Sequence, residues 1–341
     1  MDEKPFVSFL VLNFNGREML RDCLSSILAQ TEPDFEVVLV DNGSRTPCEP
    51  YIPEGLKSRL RLIKIPHNLG FAGGHNRGIG AARADWIVPV SNDVALEPDF
   101  LAAFRREAGR WPQYKMFNAQ VILKGFPQVI DATGLELFWD GVARCRGWQE
   151  DRRLYQDSAE VLGPSGSVPI IHREVFERVG LLDESFFCFA EDTDFALRAQ
   201  WQGIATRYLP SVIASHIRSA TIGRHSEQKA YLVERNHIWV AWKNFPLRLL
   251  LLMPFFTAFR YVLQGWAAMT GQGIPGNFVR AYSRRKLALI LLKAYWDAFR
   301  RLPEMLEKRR RIRVSRKISS FEFMRILRRH CLSWRDFAFK D

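Results

Sequence analysis

Hydrophobic and polar positions in the first hundred residues follow two alternating patterns. Short apolar runs, each ended by a polar or glycine-containing cluster, are typical of strands covered on both faces of a parallel sheet. These runs occupy residues 6–12, 35–40, 60–65 and 86–90. Pro89 makes the last run a less secure strand or places it near a sheet edge, because proline has no N–H to donate. Residues 17–30 have the apolar spacing of an amphipathic helix. Strand–helix–strand alternation of this kind predicts a doubly wound α/β sheet.

The pattern changes after residue 246. Residues 249–259 are an almost uninterrupted apolar run. A membrane-spanning helix needs about 20 mostly apolar residues, and this segment reaches that length only if Pro254, Arg260 and Gln264 are included. We therefore expect it to lie in the membrane interface, or to re-enter it, rather than to cross the bilayer.

Positive charge is concentrated at the C-terminal end. The sequence has a formal net charge of +12, and residues 280–341 contain 19 Lys and Arg against 6 Asp and Glu. Within them, residues 286–301 have the spacing of an amphipathic helix rich in aromatic and basic side chains. The sequence therefore predicts an α/β domain over residues 1–245 and an apolar, basic, helical tail over residues 246–341. Such a tail suits an anionic membrane surface. No recognisable nucleic-acid-binding module accompanies it, so nucleic acid is not the expected partner.

The cysteines and the N-terminal residues indicate the cellular compartment in which the protein is expected to act. The five cysteines are scattered, odd in number and without a C-x-x-C pair. This argues against a disulfide framework or a structural zinc site and favours a reducing compartment. The first residues contain no basic segment followed by an apolar run, so we expect no signal peptide and a cytoplasmic location.

Three polar clusters follow predicted strands: Asn13-Phe14-Asn15-Gly16, Asp41-Asn42-Gly43-Ser44 and Ser91-Asn92-Asp93. Each cluster alone is also good turn chemistry. Ligands of open α/β sheets bind outside the carboxyl ends of the strands, and three such clusters at one edge indicate a site.

A glycine-rich segment over residues 68–78 could contribute to a site at the same edge of the sheet. Its glycines allow the backbone to approach a diphosphate, and the helix that follows would present N–H groups to it. The segment has neither the G-x-G-x-x-G spacing of dinucleotide-binding loops nor the Gly-Lys-Ser/Thr end of a P-loop. That argues against a dehydrogenase and against an ATPase.

Carboxylates in two places could carry chemistry. Asp93 is a candidate ligand of Mg²⁺ or Mn²⁺, or alternatively the cap of a helix predicted over residues 94–103. Glu191, Asp192 and Asp194 stand between an aromatic run and a predicted helix, where a carboxylate could act as a general base or cap the helix. Both roles can hold if Glu191 or Asp194 caps while Asp192 faces a cavity.

Together, these segments resemble the family 2 glycosyltransferases, which have the GT-A fold. The resemblance runs from about residue 7 to residue 216. It rests on six segments in the expected order, at residues 7–16, 38–44, 68–78, 91–93, 179–187 and 191–198. Residues 234–236 and 243–246 have a looser likeness to the bacterial rhamnosyltransferase-like branch.

The resemblance implies a GT-A doubly wound mixed sheet flanked by helices, with residues 1–245 as the catalytic domain and the basic helical tail as an appendage. It implies inverting transfer of one sugar from a nucleotide-diphosphate-sugar to an acceptor hydroxyl. The expected acceptor is a lipid-linked or cell-surface glycan precursor, reached by a peripheral enzyme at the inner face of the cytoplasmic membrane. No Q-x-x-R-W sequence occurs, which argues against a processive synthase.

The resemblance also implies residue roles. Asp192 would be the base, with Glu191 beside it, and Asp93 would hold a divalent ion together with His216. The usual D-x-D motif appears as Ser91-Asn92-Asp93, with a single carboxylate, so the ion would depend more on His216 and on the diphosphate. The residues expected to bind the donor are Asn13, Asn15, Asp41, Asn42, Asn68, Gly70, Phe71, Gly73, Asn76 and Asn92.

Two other functions remain open from the sequence. One is a nucleotide-sugar-binding scaffold without catalysis in a glycan assembly complex. The Glu191-Asp192 pair argues against this function. The other is a sugar-nucleotide pyrophosphorylase, whose glycine-rich loop would directly follow the first strand, where this chain has Asn13-Phe14-Asn15-Gly16.

Overall fold

The computed structural model describes residues 4–217, 226–269 and 282–334. The strands are β1 Val7–Asn13, β2 Phe35–Asn42, β3 Leu60–Ile65, β4 Trp86–Ser91, β5 Val94–Leu96, β6 Met116–Leu123, β7 Phe126–Ala132, β8 Leu135–Leu137, β9 Ala143–Cys145, β10 Ala159–Val161, β11 Pro169–His172 and β12 Thr206–His216. The helices are α1 Glu18–Leu28, α2 Gly70–Ala81, α3 Phe100–Arg110, α4 Arg173–Val179, α5 Glu191–Trp201, α6 Glu227–Asn244, α7 Leu247–Met269, α8 Arg284–Arg300, α9 Leu302–Ser315 and α10 Ser320–Arg329.

A mixed sheet runs in the order β10-β12-β6-β11-β4-β1-β2-β3, with β5 paired to β12 and β7 paired to β6. Strands β3, β2, β1 and β4 are parallel, whereas β11 is antiparallel to both of its neighbours. The register aligns Asn13 with Asp41 and Leu12 with Ser91, so β1, β2 and β4 end at one edge. The predicted doubly wound mixed α/β sheet is confirmed.

Alternating side chains place both faces of β1 in apolar layers. Val7 and Phe9 pack with residues of α1 and α3, including Leu24 and Phe104, on one face. On the other face, Leu10 belongs to a second cluster that includes residues of α2 and α5. Because both layers exclude water, the polar residues of these strands collect where the strands end.

Two local predictions are wrong. Pro89 lies in β4, which is an interior strand between β1 and β11 rather than a strand near an edge. β11 pairs with β4 only at Trp86 and Ile87, so the backbone ladder on that side stops before the proline. The helix predicted over residues 94–103 is also wrong, because residues 94–96 form β5 and pair with β12. The helix begins only at Phe100, and Asp93 therefore caps no helix.

The chain divides into two compact units. The first consists of Met1–Leu135, Cys145–Gln200 and Ile204–Thr221, and the second of Glu136–Arg144, Trp201–Gly203 and Ile222–Asp341. Helix α6 lies in the second unit, and the domain boundary after residue 245 stays a prediction. In that unit α6 packs against α8 and α9. Within α7, residues Leu247–Trp266 are long and apolar enough to cross a membrane by length and composition.

Candidate active site

Asn13 joins the three polar clusters at the carboxyl edge of the sheet. Its Nδ2 donates to Oδ1 of Asp41 and to Oγ of Ser44, both at 3.2 Å. Its Oδ1 accepts from the Gly16 N–H at 3.1 Å and from Asn92 Nδ2 at 3.2 Å. A methyl group added at Gly16 would lie 2.3 Å from Asn92 Nδ2, so the glycine is what permits this contact. The clusters after β1, β2 and β4 are therefore one network.

A shallow cavity of about 430 Å³ lies beside Asp41. Its lining comes from the ends of β2 and β3 and the residues that follow them: Asp41, Gly43, Ser44, Arg45, Thr46, Pro47, Lys64, Ile65 and Pro66. Asn15 supports one wall, because its Oδ1 accepts from the Arg45 N–H at 2.9 Å and its own N–H donates to Ser44 Oγ at 2.9 Å. One carboxylate and two cationic side chains at this edge suit a polar, anionic ligand.

The glycine-rich segment forms the first turns of α2, and asparagine side chains hold it in place. Asn42 Nδ2 donates to Asn68 Oδ1 and to the Gly70 carbonyl oxygen, each at 3.0 Å. Asn76 both donates to the Leu182 carbonyl oxygen at 2.9 Å and accepts from the Leu182 N–H at 3.1 Å. These amides are engaged within the protein, and their predicted contact with a donor stays a prediction.

Gly70 makes a close backbone approach to the loop before α5. Its φ is +77°, and a methyl group there would lie 2.2 Å from the Phe187 carbonyl oxygen. The same oxygen accepts from the Phe71 N–H at 2.6 Å. Gly73 is also crowded, since an added methyl group would lie 2.8 Å from Cβ of Leu69. The glycines therefore let α2 pack directly on the segment that leads to Glu191.

Asp192 stands in the first turn of α5 and faces residues 165–167. Its Oδ2 accepts from the Gly166 N–H at 3.0 Å and its Oδ1 from the Thr193 N–H at 2.6 Å. A methyl group at Gly166 would contact both this Oδ2 and the ring of Phe71, at 3.3 and 3.6 Å. The Ser167 carbonyl oxygen accepts from the Ser91 N–H at 3.3 Å. Asp192 is thus connected to the end of β4, where Asn92 and Asp93 begin.

The loop before α5 is strained. Phe187, Phe189 and Ala190 have φ values of 66°, 69° and 66°, in a backbone region that residues other than glycine rarely adopt. Such strain is held by the surrounding structure and clusters at functional sites. Asp194, which was also predicted to cap the helix, pairs with Arg198 Nε at 2.9 Å. The strained turn leads directly into Glu191 and Asp192 at the start of α5.

Glu191 is buried, Asp192 beside it is half-buried, and the two carboxylates differ in their partners. Burial, and then the neighbouring Asp192 carboxylate, raise the pKa of Glu191, whose Oε2 has no hydrogen-bond partner. Burial also raises the pKa of Asp192, but the Thr193 and Gly166 N–H groups oppose that shift. Hydrogen bonds to a carboxylate favour its charged form. We therefore assign the proton of the pair to Glu191 and the negative charge to Asp192.

Asp93 and His216 meet because β5 pairs with the end of β12. His216 Nε2 lies 3.3 Å from Asp93 Oδ1, and Nδ1 lies 2.8 Å from Asp131 Oδ2. Burial alone would lower the pKa of His216, but the hydrogen bonds to Asp131 and Asp93 outweigh it and raise the pKa to about 9. Asp131 lies on β7 and was missed by sequence reasoning.

The donor atoms of Asp93 and His216 suit one divalent ion. Ligands of an octahedral Mg²⁺ at about 2.1 Å lie about 3 Å from one another, close to the separation of Asp93 Oδ1 and His216 Nε2. Among the described residues, no group of three His, Cys, Asp or Glu side chains could hold an ion. Asp93 and His216 are therefore two candidate ligands.

Comparison with known proteins gives the site its context. The model of the family described as "Glycosyl transferase family 2" matches residues 8–179. An N-acetylglucosaminyl-diphospho-decaprenol L-rhamnosyltransferase of Mycobacterium tuberculosis is 26% identical over 299 residues, which cover 78% of this chain and 92% of the relative. The succinoglycan biosynthesis protein ExoO of Rhizobium meliloti is 36% identical over 101 residues, 30% of this chain and 29% of that protein.

A solved structure shares the fold. The crystal structure of GalNAc-T7 with UDP, GalNAc and Mn²⁺ matches with a TM-score of 0.56 and 14% sequence identity. The match covers 71% of this chain and 48% of that chain. At this identity the likeness concerns the arrangement of the sheet and its helices.

Proposed function

This chain belongs to glycosyltransferase family 2, and from that premise we propose that it transfers a single sugar, with inversion, from a nucleotide-diphosphate donor to a hydroxyl of a lipid-linked acceptor. The observation that carries the proposal is the hydrogen-bonded path along the sheet edge. It connects Asp41 through Asn13 to Asn92, next to Asp93, and the Ser91–Ser167 bond extends it towards Asp192.

The donor would lie along this path. In the proposal the nucleoside occupies the cavity beside Asp41, where the carboxylate accepts hydrogen bonds from the base or the ribose. Arg45 and Lys64 line the same cavity and would offset the negative charge of a nucleotide. The diphosphate would then extend towards Asp93, past Asn13 and Asn92.

Asp192 would carry out the proton transfer. As the acceptor oxygen forms its bond to the anomeric carbon, an Asp192 carboxylate oxygen takes the hydroxyl proton, and the bond between that carbon and the diphosphate oxygen breaks. Attack from the side opposite the leaving group inverts the anomeric centre. Because Glu191 next to it would be protonated, no second negative charge would lie near the attacking oxygen.

A divalent ion, Mn²⁺ or Mg²⁺, would be held by Asp93 and His216. When bound, it would neutralise the charge that develops on the departing diphosphate. Because the pKa of His216 is raised to about 9, the ion would have to displace the proton on Nε2, and Asp131 would hold Nδ1 as the nitrogen that stays protonated.

The similarity to the mycobacterial rhamnosyltransferase suggests the substrates. The name of that enzyme describes L-rhamnose transfer to a sugar linked through a diphosphate to a polyprenol. We extend this to the present chain as a deoxyhexose donor and a polyprenyl-diphosphate-linked acceptor, used at the inner face of the cytoplasmic membrane. The basic tail supports this location, since Lys and Arg are attracted to anionic lipids.

The test is a donor screen followed by a transfer assay. The purified chain is incubated with Mn²⁺, a panel of nucleotide sugars and a short-chain polyprenyl-diphosphate N-acetylglucosamine, and product is detected by mass spectrometry. NMR of the product reports the anomeric configuration. Transfer with inversion supports the proposal, and retention overturns its mechanism. Donor binding without turnover on any acceptor would favour the scaffold function instead.

A further inference from the structure

Helix α7 is apolar on its outward side as well as on its inward side. Leu249, Met253 and Leu263 are buried within the second unit. Apolar side chains on the other side recur every third or fourth residue and are exposed: Leu251, Phe255, Phe259, Val262 and Trp266. A soluble helix normally places polar residues at such positions. The outward side of α7 therefore lacks the polar residues that an ordinary surface helix presents to solvent.

Helix α8 repeats this pattern. Ala294 and Ala298 are fully buried on its inner side. Its exposed apolar residues follow the same spacing: Leu289, Leu292, Trp296 and Phe299. The hydroxyl groups of Tyr261 on α7 and Tyr295 on α8 are 3.1 Å apart, so the two helices are neighbours. We call these nine exposed residues of α7 and α8 the apolar face. Exposed apolar areas of this kind mark interaction surfaces.

The exposed charged side chains of α7 and α8 themselves are positive. α7 contains no Asp or Glu. The acidic residue of α8 is Asp297, whose carboxylate accepts from the Tyr231 hydroxyl at 2.6 Å. Arg248, Arg285, Lys293 and Arg300 are exposed on the same two helices. An apolar face with basic neighbours complements an anionic lipid surface. It opposes self-association, because two copies would bring the same cations together.

The inner side of α7 carries ion pairs that argue against a membrane-spanning position. Arg260 is fully buried, and its Nε lies 2.6 Å from Asp140 Oδ2 while its NH1 lies 2.8 Å from Glu234 Oε1. Glu234 belongs to α6, which also carries Glu227, Lys229, Arg235 and Lys243. If α7 crossed the bilayer, this charged helix and Asp140 would have to enter the hydrocarbon with it, at a high cost in free energy. α7 is therefore built to lie along the surface.

We propose that the apolar face inserts into the interfacial layer of an anionic bilayer, with α7 and α8 lying on the membrane and not through it. The inference rests on the proposed function for its biological purpose, since a lipid-linked acceptor is confined to that layer. Attachment to lipid itself requires only the apolar face and its basic neighbours. It can therefore be tested without any substrate.

The experiment is flotation of the purified full chain with vesicles. One set is phosphatidylcholine alone, and the other is phosphatidylcholine mixed with an equal amount of phosphatidylglycerol. We expect binding to the anionic vesicles that weakens as salt is raised. The double variant Phe255→Ser/Trp296→Ser should weaken this binding by at least roughly tenfold, because two large apolar groups no longer enter the lipid.

Matched variants control for exposure and charge. Phe321 on α10 is 70% exposed, like Phe255 at 68%, but lies outside the apolar face, so Phe321→Ser should leave vesicle binding unchanged. Replacing Arg285, Lys293 and Arg300 with Gln should remove the preference for anionic vesicles. The same replacement at the exposed Arg310, Arg313 and Arg328 should have a much smaller effect.

Three outcomes overturn the inference. One is equal binding by the Phe255→Ser/Trp296→Ser variant and the wild type. Another is protein that resists extraction from vesicles by alkaline carbonate, which would mean that α7 spans the bilayer. The third is a dimer that dissociates in the double variant without any vesicle binding, which would make the face a self-association surface. Transfer to a detergent-dispersed acceptor is measured in parallel. Equal vesicle binding by the double variant and the wild type, with transfer intact, would mean that this inference fails while the proposed function holds. Vesicle binding as expected, with no transfer to any acceptor, would mean the reverse.

Discussion

The Nδ1 atom of His216 lies 2.8 Å from Oδ2 of Asp131, although 85 residues separate them in the chain. The contact forms because β7, which carries Asp131, pairs with β6, and β6 pairs with β12, which ends at His216. The other ring nitrogen of His216 faces Asp93. A carboxylate behind a histidine fixes the tautomer and the orientation of a metal ligand.

We therefore predict that Asp131→Asn weakens Mn²⁺ binding by about tenfold to a hundredfold, the usual effect of removing such a partner. The measurement is isothermal titration of Mn²⁺ into the protein saturated with nucleoside diphosphate. Asp22→Asn is the control, because Asp22 pairs with Lys124 at an exposed position of the same unit. Equal Mn²⁺ affinity in Asp131→Asn and wild type would show that Asp131 does not support a metal ligand.

Substitutions of the neighbouring carboxylates Glu191 and Asp192 should have very different effects on kcat. Asp192→Asn removes the base and should lower kcat by roughly 10²- to 10⁴-fold. Glu191→Gln replaces a side chain that we assign as protonated with a neutral one of the same shape, so kcat should stay close to wild type. Both are measured as transfer at saturating donor. Binding of the donor to each variant, measured by titration, should stay unchanged. A Glu191→Gln variant as inactive as Asp192→Asn would reverse the assignment of the proton.

The pH dependence follows from the same carboxylates. Burial raises the pKa of Asp192 above its ordinary value, and a base acts only when it is deprotonated. Activity should therefore be present at high pH and fall as the pH drops through a pKa above about 4, the usual value for aspartate. The profile of kcat/KM against pH measures this pKa. A profile that is flat down to pH 4 would exclude Asp192 as the base.

The sheet could be predicted from the sequence because its parallel strands carry a local signal. Residues 6–12 and 35–40 are nearly continuous apolar runs, and the strands formed there are buried on both faces. β11 gave no such signal, since it has four residues and its place between β4 and β6 depends on distant partners such as Met116. The error over residues 94–103 has a local cause. Pro98 interrupts an apolar pattern that otherwise suits a helix, and the segment before it pairs with β12.

Part of the candidate site could be predicted for the same reason. Asn13, Asp41 and Asn92 come at or just after the ends of the apolar runs, so their position at one edge was expected, and the structure brings them into one network. Asp131 lies within an ordinary strand, and only the pairing of β7 with β6 brings it to His216. Gly166 had a weak signal in the small-residue segment at residues 163–167, but nothing there indicated that its N–H would face Asp192.

Two glycines of α2 predict opposite effects on stability. Gly70 has a φ of +77° and no room for a methyl group, so Gly70→Ala should destabilise the protein by at least about 1–2 kcal/mol. Gly80, in the same helix, has no atom within 4 Å of an added methyl group. Gly80→Ala should stabilise it by about 0.5–1 kcal/mol, because alanine loses less backbone entropy. Thermal unfolding of both variants measures the two shifts. A destabilising Gly80→Ala would contradict the helix as described.

The buried Arg260 predicts a pH-dependent loss of stability in the second unit. Burial alone would raise the pKa of Glu234, but the charge of Arg260 and its hydrogen bonds outweigh burial and lower the pKa to about 2. A carboxyl group with a lowered pKa in the folded state contributes stability above its unfolded pKa, near 4.5, and that contribution disappears as the pH falls to about 2. Arg260→Met leaves Glu234 and Asp140 buried without their cation and should cost about 3–5 kcal/mol at neutral pH.

The loss of stability should shrink as the pH approaches 3, because Glu234 in the variant can then take up a proton. Unfolding midpoints from pH 7 to pH 3, followed by circular dichroism, measure this difference. Arg310→Met, at an exposed position, should match wild type throughout. A difference between Arg260→Met and wild type that stays the same at every pH would mean that lost packing, and not the ion pairs, accounts for the effect.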